Sequence, residues 1–102
     1  MQKIHSVKFP DTLKEIRKDA FLRCSTLESI ELPESLLILE DGAFAECKGI
    51  KKILIDNPEL KISGYPFIGC KSLKTLVVPE ELKDLKEILD KNCKEKVNVI
   101  IR

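Results

Sequence analysis

Residues 20–33 read AFLRCSTLESIELP, and the same order of residue types returns along the chain at a constant step. Cys24, Cys47, Cys70 and Cys93 stand 23 residues apart, and Phe21, Phe44 and Phe67 keep that step. So do Ile4, Leu27, Ile50 and Leu73, then Val7, Ile30, Ile53, Leu76 and Val99. Two further columns are Phe9, Leu32, Ile55, Val78, Ile101 and Ile16, Leu39, Ile62, Leu85. A fixed period between about 20 and 50 residues marks a solenoid, in which no unit buries its own apolar face and stacked neighbours do.

Each unit follows L-x-x-I-x-[LIV]-P, as in LESIELP (27–33) and LKTLVVP (73–79). The I-x-L core alternates with period two, as a half-buried strand does, and Pro10, Pro33 and Pro79 end it because proline has no N–H for a continuing ladder. The A-F-x-x-C piece sets Phe and Cys three apart, which predicts a short helical or 3₁₀ turn and a stacked aromatic row. The expected fold is an α/β repeat solenoid, a single domain over 1–102 with one short parallel strand per coil and short helical turns. Coils fall near 4–26, 27–49, 50–72 and 73–95, with a last strand at 97–101. The third unit departs from the pattern: DNPEL (56–60) replaces the proline, predicting a rebuilt turn at Asn57 and Pro58, and Leu60 sits one place late. PEELKDLKEILDKNC (79–93) sets Leu82, Leu85, Ile88 and Leu89 at helical spacing after an acidic opening, predicting a C-terminal capping helix near 80–91 with Lys83, Asp84, Lys86 and Glu87 outward.

The stretch 7–55, and more weakly 64–79, resembles the BspA-like leucine-rich repeats, a 23-residue class found in bacterial and protozoan surface proteins. The resemblance implies a leucine-rich repeat used as a binding or adhesion scaffold, cell-surface or secreted, and no enzymatic activity.

Composition adds limits. A chain of 102 residues supplies one modest core. Eighteen basic against seventeen acidic residues, without blocks, give no charge signature for nucleic acid or an anionic membrane. No apolar run has signal-peptide or membrane-span length. The chain begins inside a unit, with no preceding coil over Val7, Phe9 and Leu13. Because terminal repeats normally carry a cap, this predicts a piece of a longer solenoid, or an end that another chain covers, with self-association through that edge.

Several apparent sites dissolve in the repeat phase. GYPFIGCKS (64–72) imitates a phosphate loop, but Cys70 separates Gly69 from Lys71 and breaks its register. The cysteines would lie in one row about 4.8 Å apart per coil, too spread for tetrahedral zinc, and no metal or other cofactor is expected. Disulfides between adjacent coils remain geometrically open, but the side chains would point the same way, so free buried thiols are expected. His5 stands alone, in a column with Glu28, Lys51, Lys74 and Val97 that reads as a solvated rim.

The strand positions alternating with the core are the candidate binding surface. One outward row is Ser6, Ser29, Lys52, Thr75 and Asn98; the next is Lys8, Glu31, Leu54, Val77 and Ile100. Leu54, Val77 and Ile100 are expected to form an exposed apolar stripe bordered by Lys52, Asp56 and Arg102, fitted to a protein partner. The competing reading is a structural spacer whose outward aliphatic residues are only good strand formers.

Overall fold

The computed structural model describes residues 6–89 and 97–102. Five parallel strands form the larger sheet: β1 (Ser6–Lys8), β3 (Ser29–Leu32), β5 (Lys52–Ile55), β7 (Thr75–Val78) and β8 (Asn98–Ile101), in that spatial order. Their register follows the sequence period: Val7 pairs with Ile30, Ile30 with Ile53, Ile53 with Leu76 and Leu76 with Val99. β3 and β7 stop directly before Pro33 and Pro79, and β1 stops one residue earlier relative to Pro10, in keeping with the missing proline N–H.

Each of the first three coils contributes a second strand, which the expectation of one strand per coil omitted. β2 (Glu15–Ile16), β4 (Ile38–Leu39) and β6 (Lys61–Ile62) form a small parallel sheet. Two-residue strands carry too little alternation to be read as strands; their trace in the sequence is the Ile16, Leu39, Ile62 column. Between the sheets lies the core, with Leu32, Leu36, Leu39, Phe44, Ile50, Ile53, Phe67, Leu73, Leu76 and Val78 all but fully buried. Phe21 stacks on Phe44 at 5.1 Å and Phe44 on Phe67 at 5.7 Å between ring centroids, the expected row.

The helical parts of the expectation need correction. The A-F-x-x-C segments are hydrogen-bonded turns, not helices: Cys24, Cys47 and Cys70 donate their N–H groups to Phe21, Phe44 and Phe67, and the chain then turns away. Backbone at Arg23, Glu46 and Gly69 has positive φ (60°, 55° and 78°), which ends any helix there. In place of an α-helix over 80–91, Glu80–Ile88 is 3₁₀ in character and broken at Leu82, where φ is −111°. Asp84 and Leu85 occupy the phase of the next small-sheet strand, so this segment takes that strand's place. Leu82 and Leu85, three apart, share a face in a three-residue turn, and the 3₁₀ rise of about 2.0 Å per residue spans more of the coil than an α-helix would. Leu85 and Leu89 are buried while Lys83, Asp84 and Glu87 are exposed, so the covering role is retained in a different conformation. The rest of the predicted helix, with Cys93, lies outside the described residues.

At the other end, Phe9 is buried, against the expectation that nothing covers it. Its ring meets Phe21 edge-on at 5.5 Å and Phe44 at 6.4 Å, so the first phenylalanine folds over the head of the aromatic stack. Leu13 packs against the same core. Two column assignments also fail near the C-terminal strand. Val97, expected on a solvated rim, is buried, and Ile101, expected in the core, is 49% exposed. β8 pairs with β7 on one side only, so its inward column is covered from one side.

Candidate functional site

The turn after β5 shows how an irregular sequence is fitted to a regular stack. Ser35 Oγ donates to the Leu13 carbonyl of the preceding coil at 2.7 Å. The equivalent place in the next coil is Pro58, which has no donor, and the neighbouring Asn57 takes over: its Nδ2 donates to the Leu36 carbonyl at 2.8 Å and its Oδ1 accepts from the Glu59 N–H at 2.8 Å. Leu60 N–H then bonds the Asn57 carbonyl, where Leu13, Leu36 and Leu82 N–H groups bond Pro10, Pro33 and Pro79. The turn is displaced by one residue and register is restored by β6, as Asn57 and Pro58 led us to expect. Buried Leu60 fills the site of Leu36, and β5 pairs in register with β7 at Lys52, Ile53 and Leu54.

On the outward side of the large sheet, Glu31 pairs in register with Leu54, Leu54 with Val77 and Val77 with Ile100. The structure thus brings the three apolar candidates side by side at the usual strand spacing of about 4.8 Å. It corrects their exposure: Ile100 is 44% exposed and Leu54 intermediate, but Val77 is buried at 6%. Val77 is flanked in register by two large aliphatic neighbours and stands outside the main core cluster. The surface is therefore a Leu54–Ile100 pair with a filled centre. Lys52, Asp56 and Arg102 are exposed, and Arg102 donates its N–H to the Val78 carbonyl at 2.9 Å, extending the ladder by one bond. In the neighbouring row Ser29 and Thr75 are partly exposed, Lys52 and Asn98 fully so.

The other candidates take structural roles. In the false phosphate loop, Gly64 and Gly69 carry φ of 65° and 78°, while Pro66 and Phe67 between them are buried. Four of its N–H groups are already used: Tyr65 donates to Asp41 Oδ1, Ile68 to the Tyr65 carbonyl, Cys70 to the Phe67 carbonyl and Lys71 to the Gly69 carbonyl. Cys24, Cys47 and Cys70 are free, the last two buried and the first partly so. Cys47 Sγ donates to the Phe21 carbonyl at 3.1 Å and Cys70 Sγ to the Phe44 carbonyl at 3.2 Å. Burial pushes the Cys47 thiol up to about 11. Among the described residues no cluster of three or more His, Cys, Asp or Glu is placed to hold a metal ion, and no helix is long and apolar enough to cross a membrane. His5 lies outside the described residues.

One shallow depression of about 180 Å³ opens on the turn side, lined by Arg23, Ser25, Glu46 and Lys48. Arg23 Nε bonds Glu46 Oε2 across it at 3.2 Å. Sequence reasoning missed this place. Its only signal is that Arg23 and Glu46, like Ser25 and Lys48, are one period apart.

A stack of 23-residue coils with these columns defines a leucine-rich-repeat solenoid. The family model for the BspA type leucine rich repeat region matches residues 1–101 in six copies, and the chain belongs to that family. Comparison with curated proteins and with solved structures found no match.

Proposed function

We propose that the chain is a non-enzymatic protein-binding scaffold of the adhesion type, displayed at a cell surface or secreted, which meets its partner with the outward face of the five-stranded sheet. The observation that carries this reading is the register row Glu31, Leu54, Val77, Ile100, which runs from charged to apolar across adjacent strands and ends on exposed Ile100. A filled apolar centre at Val77 bordered by Lys52, Asp56 and Arg102 has the make-up of a contact patch, an apolar middle within a polar rim. Family membership supports a scaffold. The buried Cys47 thiol supports the absence of nucleophilic chemistry there, because a raised pKa and a bond to a carbonyl are the opposite of activation.

The test places a photo-crosslinking residue at Ile100 or Glu31 on the large sheet, and at Lys61 on the small sheet as control, in the presence of the surface proteins of cells the parent protein encounters. Adducts with one protein from positions 31 and 100, absent from 61 and weakened about tenfold by Ile100→Lys at unchanged melting temperature, are expected. Equal adducts from both sheets, or none, would favour a spacer.

A further inference from the structure

Lys48, Lys51, Lys52, Lys71 and Lys74 are all exposed. None belongs to an ion pair among the described residues. Lys48 and Lys71 hold the same place in successive coils, and so do Lys51 and Lys74, whose backbones bond directly, Lys74 N–H to the Lys51 carbonyl at 2.9 Å. Lys52 adjoins them at the start of β5. The lysines thus form a grid, about 4.8 Å between coils, on the corner where the cysteine turn leads into the large sheet. Gly49 keeps this corner flat: a Cβ there would lie 2.5 Å from the Ser25 carbonyl oxygen, so the loop from Lys48 to Lys51 rests flush on the preceding coil. Like charges stacked on neighbouring coils repel each other, so lysine set beside lysine at two successive places carries an electrostatic cost. Glu28 stands one coil before Lys51, whose N–H its carbonyl accepts at 2.7 Å, and Glu46 is engaged by Arg23. The depression beside Lys48 is lined also by Ser25 and by the Arg23–Glu46 ion pair, which is neutral as a unit and leaves the lysines as the uncompensated charge of the corner.

We propose that this corner binds a linear acidic polysaccharide, a single sulfated or uronic-acid chain running along the Lys48–Lys71 and Lys51–Lys74 pairs. Segments 46–52 and 69–75 contain no aromatic residue, so the platform on which single-stranded nucleic acid stacks its bases is missing. Two coils about 4.8 Å apart suit one narrow chain and not a duplex. Lysine, a strongly hydrated point charge, suits sulfate and carboxylate groups presented at intervals. This surface is separate from the apolar row assigned to a protein partner and stands or falls independently of it.

The test is isothermal titration calorimetry of the whole chain with a heparin-derived octasaccharide, with an unsulfated oligouronate and with a single-stranded oligonucleotide of matched charge, at 50 and 200 mM salt. The octasaccharide or the oligouronate should bind more tightly than the oligonucleotide, and their relative strength tells sulfate from carboxylate. Five lysine contacts predict a loss of about a hundredfold over that salt range. The triple change Lys48→Gln, Lys71→Gln, Lys74→Gln should weaken binding at least tenfold, and Lys14→Gln, Lys18→Gln, Lys61→Gln, which removes the same charge elsewhere, should weaken it less than threefold, both with unchanged circular dichroism. Equal losses from the two triples, tighter binding of the oligonucleotide, or no heat of binding at 50 mM salt would overturn the proposal.

Discussion

The cysteine that marks the period holds successive coils together through an unusual donor. A buried thiol that gives its hydrogen to the Phe carbonyl of the preceding coil, as Cys47 does to Phe21 and Cys70 to Phe44, adds a second donor to an oxygen that already accepts the cysteine N–H of its own turn. The proton must stay on sulfur for that bond to exist. Because burial raises the Cys47 thiol from 9.0 to about 11, its contribution to stability is complete below about pH 9 and declines as the pH rises toward 11, where the unfolded chain is already deprotonated. Thermal melts of the parent and of Cys47→Ala at pH 8 and pH 10.5 should show the parent losing more of its melting temperature over that interval. Identical pH slopes would mean that burial does not raise the Cys47 thiol.

Among the elements, the turn over residues 56–60 was anticipated from Asn57 and Pro58, but its mechanism was not. Asn57 is the polar residue buried deepest in the described structure, and its amide serves two coils at once. Asn57→Ala would strand the buried Leu36 carbonyl and free the turn, with an expected cost of about 1–3 kcal/mol in urea unfolding. A loss below about 0.5 kcal/mol would show that water replaces the amide without penalty. The 3₁₀ segment at Glu80–Ile88 teaches the converse lesson. Its apolar spacing of three and four fits either helix type, so periodicity announced a covering element without fixing its pitch. What selects the pitch is the distance to be crossed at the end of the stack, a property of the neighbouring coils.

Across the whole molecule, stability is distributed along one axis. Phe9, Phe21, Phe44 and Phe67 form a continuous aromatic column, and Phe44 touches the other three rings. Its fully buried ring couples three coils, so Phe44→Ala removes contacts on both sides. A loss of about 3–5 kcal/mol is expected, a large share of a small domain's stability. Chemical denaturation should record the variant as largely unfolded or strongly shifted. A melting temperature within a degree or two of the parent would be inconsistent with a stacked core.

By itself the sequence determined the period, the parallel register, the strand-ending prolines, the aromatic row and the membership of the stack, since a repeat records the same local environment several times and each copy corroborates the others. It determined which face of each strand turns inward for the central coils, where both neighbours are present. Only the tertiary structure decided the ends and the second sheet. Burial at Val97 and Ile101 depends on what lies beside them and not on their phase, so column reasoning misassigned them, whereas Phe9 keeps its core column and is covered where the missing preceding coil had suggested it would not be. The same holds for Val77, whose outward phase is correct and whose exposure is removed by its neighbours Leu54 and Ile100. The lysine corner too was invisible to net charge, because stacking at a fixed period gathers residues that are 23 apart in the chain to about 4.8 Å in space.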